Sequence, residues 1–440
     1  MRCVVIAASI AASGCVSSGT WQVIHDAEER IAEQPGTEAE RAVARDCVSV
    51  ASIAIAQARG LDAPRARARA ALARARAEGA LPAPSTSFEV WDFPIGDPSR
   101  GDREGMYMLS VEQAIPPLDA LDGRARAEAE EAGAMLADLD ERTREIHAMV
   151  HHACVERDGA AAEIAALDAA LATLARAIEL ASARRAAGGD PLVELARMEL
   201  ERGRMLRMRA QLEAERARTE EELEAIAGIS LDLPAPSALA DRDADSEADE
   251  PAVDALLARA LEARGELRAA NARARAAEAR ARAAEAEATV PEVMLRATYM
   301  QMPQERAGLG AMIGLRLPFL WSGERDAAEA ARQDARAELD EVAWRERALR
   351  IELAQHVAML RGARRALAAI REHERPAAER VLESALLGYA QGTVDATAWL
   401  DALRAVREIA VEEARALAAV AHARADLDEV VGAPVSGGAR

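Results

Sequence analysis

The sequence predicts a mainly α-helical chain built as a tandem repeat, each repeat combining long coiled-coil helices with one β-hairpin. Three observations carry that prediction. The first is composition: half of the residues are hydrophobic, only 2% are aromatic, and all 55 basic residues are Arg. Ala, Arg, Glu and Leu are strong helix formers, and a chain dominated by them reads as long helices and coiled coils. The second is self-similarity. Pro116 to Gly189 spans 73 residues and Pro318 to Gly392 spans 74; Pro116 to Gly228 spans 112 and Pro318 to Gly432 spans 114. Landmarks recurring in one order mark an internal duplication. The third is a set of four short stretches in which apolar and polar residues alternate.

The charge balance narrows the function. With 75 acidic against 55 basic residues the formal charge is −20. Binding to a phosphate backbone needs basic patches, so nucleic acid is excluded as a partner. No phosphate-binding Gly loop, nucleophile elbow or Cys-x-x-Cys pair occurs. The chain reads as no enzyme and as needing no cofactor.

Residues 1–14 read as a signal peptide: Arg2, an apolar run from Cys3 to Ala12, then Ser13 and Gly14 before Cys15. The run is too short to span a bilayer as a helix, which takes about twenty residues. The small residues placed directly before Cys15 resemble the lipobox of bacterial lipoproteins; an ordinary secretory signal with a chance Cys is the alternative. The resemblance implies acylation at Cys15 and a lipidated segment over 15–37, and Val16 in place of Asp implies the outer membrane. Cys3 is then removed and Cys15 consumed. Cys47 and Cys154 remain, able to pair in an oxidising periplasm, although two cysteines are no disulfide framework.

The repeats are predicted over 38–233 and 252–434, joined by an acidic linker at 234–251 with Pro234, Pro236 and Pro251, and followed by a tail at 435–440. Each repeat opens with a helix (40–78 and 252–288). After the hairpin comes an unbroken helical stretch of about 70 residues (118–187 and 320–390), then a glycine turn and a return helix (190–227 and 394–431). Leu195, Met198, Met205, Met208 and Leu212 form a seam on the first return helix, which Leu400, Leu403, Leu417, Val420 and Leu427 repeat less regularly on the second. At 1.5 Å per residue the long stretch measures roughly 105 Å and each short helix roughly 57 Å. Two short helices end to end match one long one. The expectation is a rod with glycine turns at one end, hairpins at the other and the linker at its waist.

The strands are predicted near 86–93, 106–115, 292–302 and 309–318. Leu309, Ala311, Ile313, Leu315 and Leu317 alternate with Gly310, Met312, Gly314 and Arg316. Tyr107, Leu109, Val111 and Ile115 alternate with Met108, Ser110, Glu112 and Ala114, while Arg296 and Thr298 oppose Leu295, Ala297 and Tyr299. Phe88, Trp91, Phe93, Tyr107, Tyr299, Phe319 and Trp321 gather in or beside these strands, as in the aromatic girdles of membrane barrels. About ten residues span a bilayer when tilted. The alternative is a soluble meander on the helix ends. In lipid, open edges must be closed, and three copies at four strands each would supply a twelve-stranded barrel continuous with a tube of twelve helical staves.

Three motifs in order resemble one family. Gly388-Tyr389-Ala390-Gln391-Gly392-Thr393, followed by Leu400-Asp401-Ala402, is similar to the second periplasmic turn of the TolC-like outer membrane efflux proteins, in their lipoprotein branch. Leu317-Pro318-Phe319 before Gly323 resembles that family's strand-to-helix motif, and Ala263-Arg264-Gly265-Glu266-Leu267 its helix opening. The resemblance covers nearly the whole mature chain. It implies a passive homotrimeric outer-membrane channel, exporting small molecules or ions from a periplasmic adaptor and an inner-membrane pump. It further implies that Gly188, Gly189, Asp190, Gly388, Tyr389, Gly392 and Thr393 form the periplasmic tip that docks the adaptor, and that Asp401 narrows the entrance. Two positions depart from the pattern, Ala398 where a second acidic residue is usual and Val394 where an Arg is usual. His147, His151 and Cys154 form one stripe at i, i+4, i+7, a thin metal-ligand candidate beside the plainer reading of solvent-facing or interhelical residues. The rival readings are a lipid-anchored coiled-coil protein without a pore and a periplasmic adaptor.

Overall fold

The computed structural model describes residues 16–32, 46–92, 95–96, 98–101, 105–186, 192–231, 233, 252–302 and 306–432. Ten helices and four strands are used below, labelled in chain order: α1 (Ser18–Ala32), α2 (Cys47–Gln57), α3 (Asp62–Glu78), β1 (Ser85–Trp91), β2 (Met106–Ile115), α4 (Leu118–Ala186), α5 (Leu192–Ala227), α6 (Val253–Ala263), α7 (Gly265–Thr289), β3 (Glu292–Gln301), β4 (Gly308–Arg316), α8 (Ser322–Ala369), α9 (Arg375–Gln391) and α10 (Ala396–Val431). The order of helix, hairpin, long helix and return helix occurs in both halves of the chain.

Contacts gather these elements into two compact units that cut across the repeats: 1–34, 60–140 and 265–346 form one, and 35–59, 141–264 and 347–440 the other. Each unit draws helices from both repeats, because a long helix buries its sides against lateral neighbours rather than against its own sequence neighbours.

The first unit holds the sheet, in the order β1-β2-β3-β4, all antiparallel. Beneath it in sequence, α7 carries Ala at nearly every second position, and Ala269, Ala272, Ala276, Ala279 and Ala283 are buried. Small residues let backbones approach: a Cβ on Gly123 of α4 would meet the Ala279 carbonyl at 2.9 Å. Between the alanines, Arg275 reaches Glu130 at 2.8 Å and Arg280 reaches Glu131 at 3.4 Å, while Arg273 pairs with Asp138. Helix α1 lays Ile24 and Ala27 on Ala68, Ala71 and Leu72 of α3 and on Ala129, Ala132 and Leu136 of α4.

Two apolar clusters lie among the described residues of the second unit. Val50, Ile53 and Ala54 of α2 pack with Val150 and Ala153 of α4 and Leu223 of α5. Leu174, Ala177, Met198, Met205, Tyr389, Trp399, Leu400 and Leu403 form the other, near the glycine turn. Met198 and Met205 of the predicted seam are fully buried and Leu195 packs against the cluster. Leu417, the weakest member of the second seam, is only half-buried.

Three expected helices are interrupted. The stretch at 40–78 breaks into α2 and α3 through a 3-10 turn at Arg59–Leu61. Pro64 lacks an N–H to donate backward, so it sits in the first turn of a new helix. The stretch at 252–288 breaks at Arg264, whose backbone is extended (φ −69°, ψ 121°). The second long stretch is not uniform either: a π turn at Ile370–Glu374 precedes Pro376. An added residue in that turn accommodates the missing proline donor and its ring.

Candidate functional site

The register of the sheet sorts its residues onto two faces. Phe88, Leu109, Tyr299 and Leu309 lie opposite one another across all four strands. They are 66%, 50%, 45% and 86% exposed. Because side chains alternate along a strand, Val90, Val111, Leu295, Ile313 and Leu315 share that face. The opposite face is mixed, with Met108, Met294, Met300 and Met312 beside polar and small residues. Ser87, Ser110, Thr298 and Gly310 form one row, and the Ser110 and Thr298 hydroxyls lie 2.9 Å apart. In the next row the Arg296 guanidinium donates to the Glu112 carboxylate at 2.6 Å. This is the alternation read in the sequence, now with the apolar side uncovered and the charged pair on the reverse. Strands β1 and β4 each pair on one side only.

The turn between α9 and α10 is built by three residue types. Gly392 ends α9 with φ +77°, a left-handed conformation that glycine takes without steric cost. Gly388 makes room: a Cβ there would meet Val394 Cγ2 at 2.4 Å. The Thr393 N–H and hydroxyl then both donate to the Gly388 carbonyl, at 2.9 and 3.1 Å. Asp395 caps α10 by accepting from the Ala398 N–H at 2.9 Å. Tyr389 is 1% exposed, stacks on Trp399 with centroids 6.1 Å apart, and donates its hydroxyl to Glu194 of α5 at 3.2 Å. Arg197 of α5 also donates to the Thr397 hydroxyl. The turn is thereby tied to the return helix of the first repeat. Gly188, Gly189 and Asp190 lie outside the described residues, as does Cys15.

Asp401 is 62% exposed in its side chain and accepts from Arg404 at 2.9 Å. Arg404 also reaches Glu201 of α5 at 2.8 Å. Glu201 is 1% exposed, with Arg407 at 2.7 Å and Arg204 at 3.3 Å. Burial pushes the Glu201 carboxyl up, but the hydrogen bond and charge of Arg404, with the charge of Arg407, outweigh it and hold the group below its ordinary value. Nothing in the sequence singled out Glu201, since its three partners lie on its own helix and more than 200 residues away.

The stripe of His147, His151 and Cys154 does not assemble as a ligand set. Cys154 is bonded to Cys47, with Cα atoms 6.3 Å apart, so no thiolate is available. Among the described residues no group of three His, Cys, Asp or Glu side chains is placed to hold a metal ion. His151 is half-buried, and its pKa is depressed by that burial and by His147, His152 and His422. His152, not a member of the stripe, faces His422 of α10 with Nδ1 atoms 3.5 Å apart.

No helix among the described residues is long and apolar enough to cross a membrane. Residues 256–433 match the outer membrane efflux protein family. Among solved structures, the chain is similar to CusC, described by its conformational changes on folding and transmembrane channel formation. The TM-score is 0.71 at 16% identity, over 88% of this chain and 92% of that one. It is also similar to the outer-membrane channel OprN, with a TM-score of 0.67 at 18% identity over 96% of this chain and 93% of that one. The open state of the Neisseria gonorrhoeae outer membrane channel MtrE matches with a TM-score of 0.69 at 19% identity, over 88% and 89% of the two chains. No curated protein matches in sequence. Residues 256–433 thus match the outer membrane efflux protein family, and the chain as a whole carries the mainly helical fold, with a small sheet, seen in these solved structures.

Proposed function

We propose that the chain is the passive outer-membrane channel of an export system, a homotrimer whose three four-stranded sheets close into one twelve-stranded barrel. The observation that carries this reading is the one-sided sheet. An uncovered apolar face of Phe88, Leu109, Tyr299 and Leu309 has no place in water, and the Glu112–Arg296 pair on the reverse has none in lipid. A sheet with lipid on one side and a water-filled bore on the other satisfies both. The free edges of β1 and β4 cannot stay open in hydrocarbon, where each unpaired backbone group costs several kcal/mol. Pairing β4 of one copy with β1 of the next removes every edge.

In this reading Cys15 carries the lipid that holds the chain to the outer membrane. The Ser17 N–H donates to Asp122 at 2.7 Å, four residues into α4 and close after β2, which supports an anchor beside the barrel. Gly188, Gly189, Asp190, Gly388, Tyr389, Gly392 and Thr393 form the periplasmic tip that meets an adaptor, itself joined to an inner-membrane pump. Asp401 narrows the entrance, with its charge shared by Arg404. The chain supplies a path and a gate; the energy and the choice of cargo come from its partners.

The test is conductance. Purified protein added to a planar lipid bilayer should produce discrete steps, and Ile313→Asp, which puts a carboxylate on the lipid face, should abolish insertion. A charge at mid-bilayer costs a strand about 2–4 kcal/mol, repeated in each copy. Steps unchanged in I313D, or none from the native chain, would count against the barrel.

A further inference from the structure

Five of the seven histidines of the chain, His147, His151, His152, His356 and His422, converge in the second unit from three helices. They sit 30 or more residues from the turn at Gly392 in sequence. The centre is a pair of rings. His152 of α4 and His422 of α10 stack with centroids 5.8 Å apart and 10° between planes, Nδ1 facing Nδ1 at 3.5 Å. The far edge of His152, at Nε2, lies 3.4 Å from both Asp426 and Glu429 of α10. His356 of α8 places Nδ1 3.9 Å from Asp426, and that buried nitrogen makes no hydrogen bond.

We infer that this cluster is a proton-operated joint between the first repeat and the second, closed while the facing His152 and His422 rings are not both charged and released when acid charges both. With at least one ring neutral, one Nδ1–H can donate to the other nitrogen across 3.5 Å. Charging both rings places two N–H donors and two positive charges face to face, and the stack is lost. The surroundings fix the sign. On α4 the pair is faced by His147, His151 and Glu156, and Glu156 is already engaged by Arg218 of α5 at 2.9 Å. On α10 it is faced by Asp426, Glu429 and Arg424; on α8 by His356. Arg144 of α4 takes part of Glu429, donating to its main-chain carbonyl at 2.7 Å and lying 3.6 Å from its carboxylate. Burial, then His152, depresses the pKa of His422 below its ordinary 6.5 despite Glu156 and Asp426, and His151 is depressed likewise.

A base whose pKa is depressed in the closed joint binds more protons when the joint opens. Opening is therefore favoured as pH falls below 6.5, by up to about tenfold per pH unit for each histidine that must charge. The joint is silent above that value. It rests only on residues within one unit and holds whether or not the chain forms a channel.

Hydrogen exchange on the full chain in detergent, with EDTA present, tests it. Between pH 7.5 and 5.5, after correction for the intrinsic rate, protection of the segments around 147–156 and 418–429 should fall about tenfold or more, while the turn around 388–400 stays unchanged. His422→Phe keeps an apolar ring for stacking and cannot charge; His422→Gln keeps a polar group and cannot charge. Both should hold their neutral-pH protection at pH 5.5. Equal protection of the native chain at both values would overturn the joint. So would a wild-type response in both variants, or a response that follows added zinc and disappears with EDTA.

Discussion

Gly388 and Val394 touch so closely that the turn admits no side chain at 388. A methyl there collides with the Val394 side chain, and overpacking of this kind costs about 1–3 kcal/mol. Gly388→Ala should lower the thermal midpoint of the detergent-solubilised protein, and adding Val394→Ala should restore part of the loss; an additive double variant would show that the two do not meet. Glu201 makes a larger claim. Its carboxylate is buried among Arg404, Arg407 and Arg204, and removing it leaves Arg404 with Asp401 and Arg407 with Glu408 as their remaining partners. Glu201→Ala should destabilise by about 1.5–3 kcal/mol in denaturant melts. Because the folded pKa of Glu201 is depressed, its contribution is fully present above the ordinary 4.5 and fades as pH falls below it. A flat acid limb would contradict that. At this scale the sequence disclosed what repeats locally: Gly388, Gly392 and Thr393 stand out as a turn because glycine and a hydroxyl have few other uses together. Glu201 and the His152–His422 pair stayed hidden, since a buried ion pair spanning two repeats leaves no periodic trace.

The elements differ in how plainly they announce themselves. The four strands are readable because a period of two with one apolar face survives in the chain itself, and the observed β2 and β4 begin and end within two residues of the expected ranges. The break at Arg264 falls on the helix-opening motif Ala263–Leu267, but the break at Arg59–Leu61 and the π turn at Ile370–Glu374 were not readable. Ala, Arg and Glu remain helical residues wherever they fall, so only Pro64 and Pro376 hint at an interruption. The disulfide is the strongest element-scale tie. Cys47 and Cys154 enclose a separation of 107 residues, and closing a loop of that size restricts the unfolded chain by about 4–5 kcal/mol in the chain-entropy account. It secures the start of α2 to the cluster of Val150, Ala153 and Leu223. Cys154→Ser, or reduction of the native protein, should expose residues 46–57 to protease while leaving the sheet intact. Equal resistance with and without reductant would mean that packing alone holds α2.

Each half of the chain contributes two strands and one long helical stretch, and neither can satisfy its own edges or flanks. The compact units confirm the interdependence, since each is assembled from both repeats and neither repeat forms a unit by itself. The same logic extends past the single chain. The apolar face of Phe88, Leu109, Tyr299 and Leu309 is uncovered, and β1 and β4 end the sheet with unpaired edges. In the proposed reading lipid covers the face and further copies close the edges. The central claim is therefore a number of chains. Native mass of the protein extracted by detergent from the outer-membrane fraction should give three chains per particle. A monomer recovered from the soluble periplasmic fraction would contradict the account and return the four strands to a soluble cap on the helices.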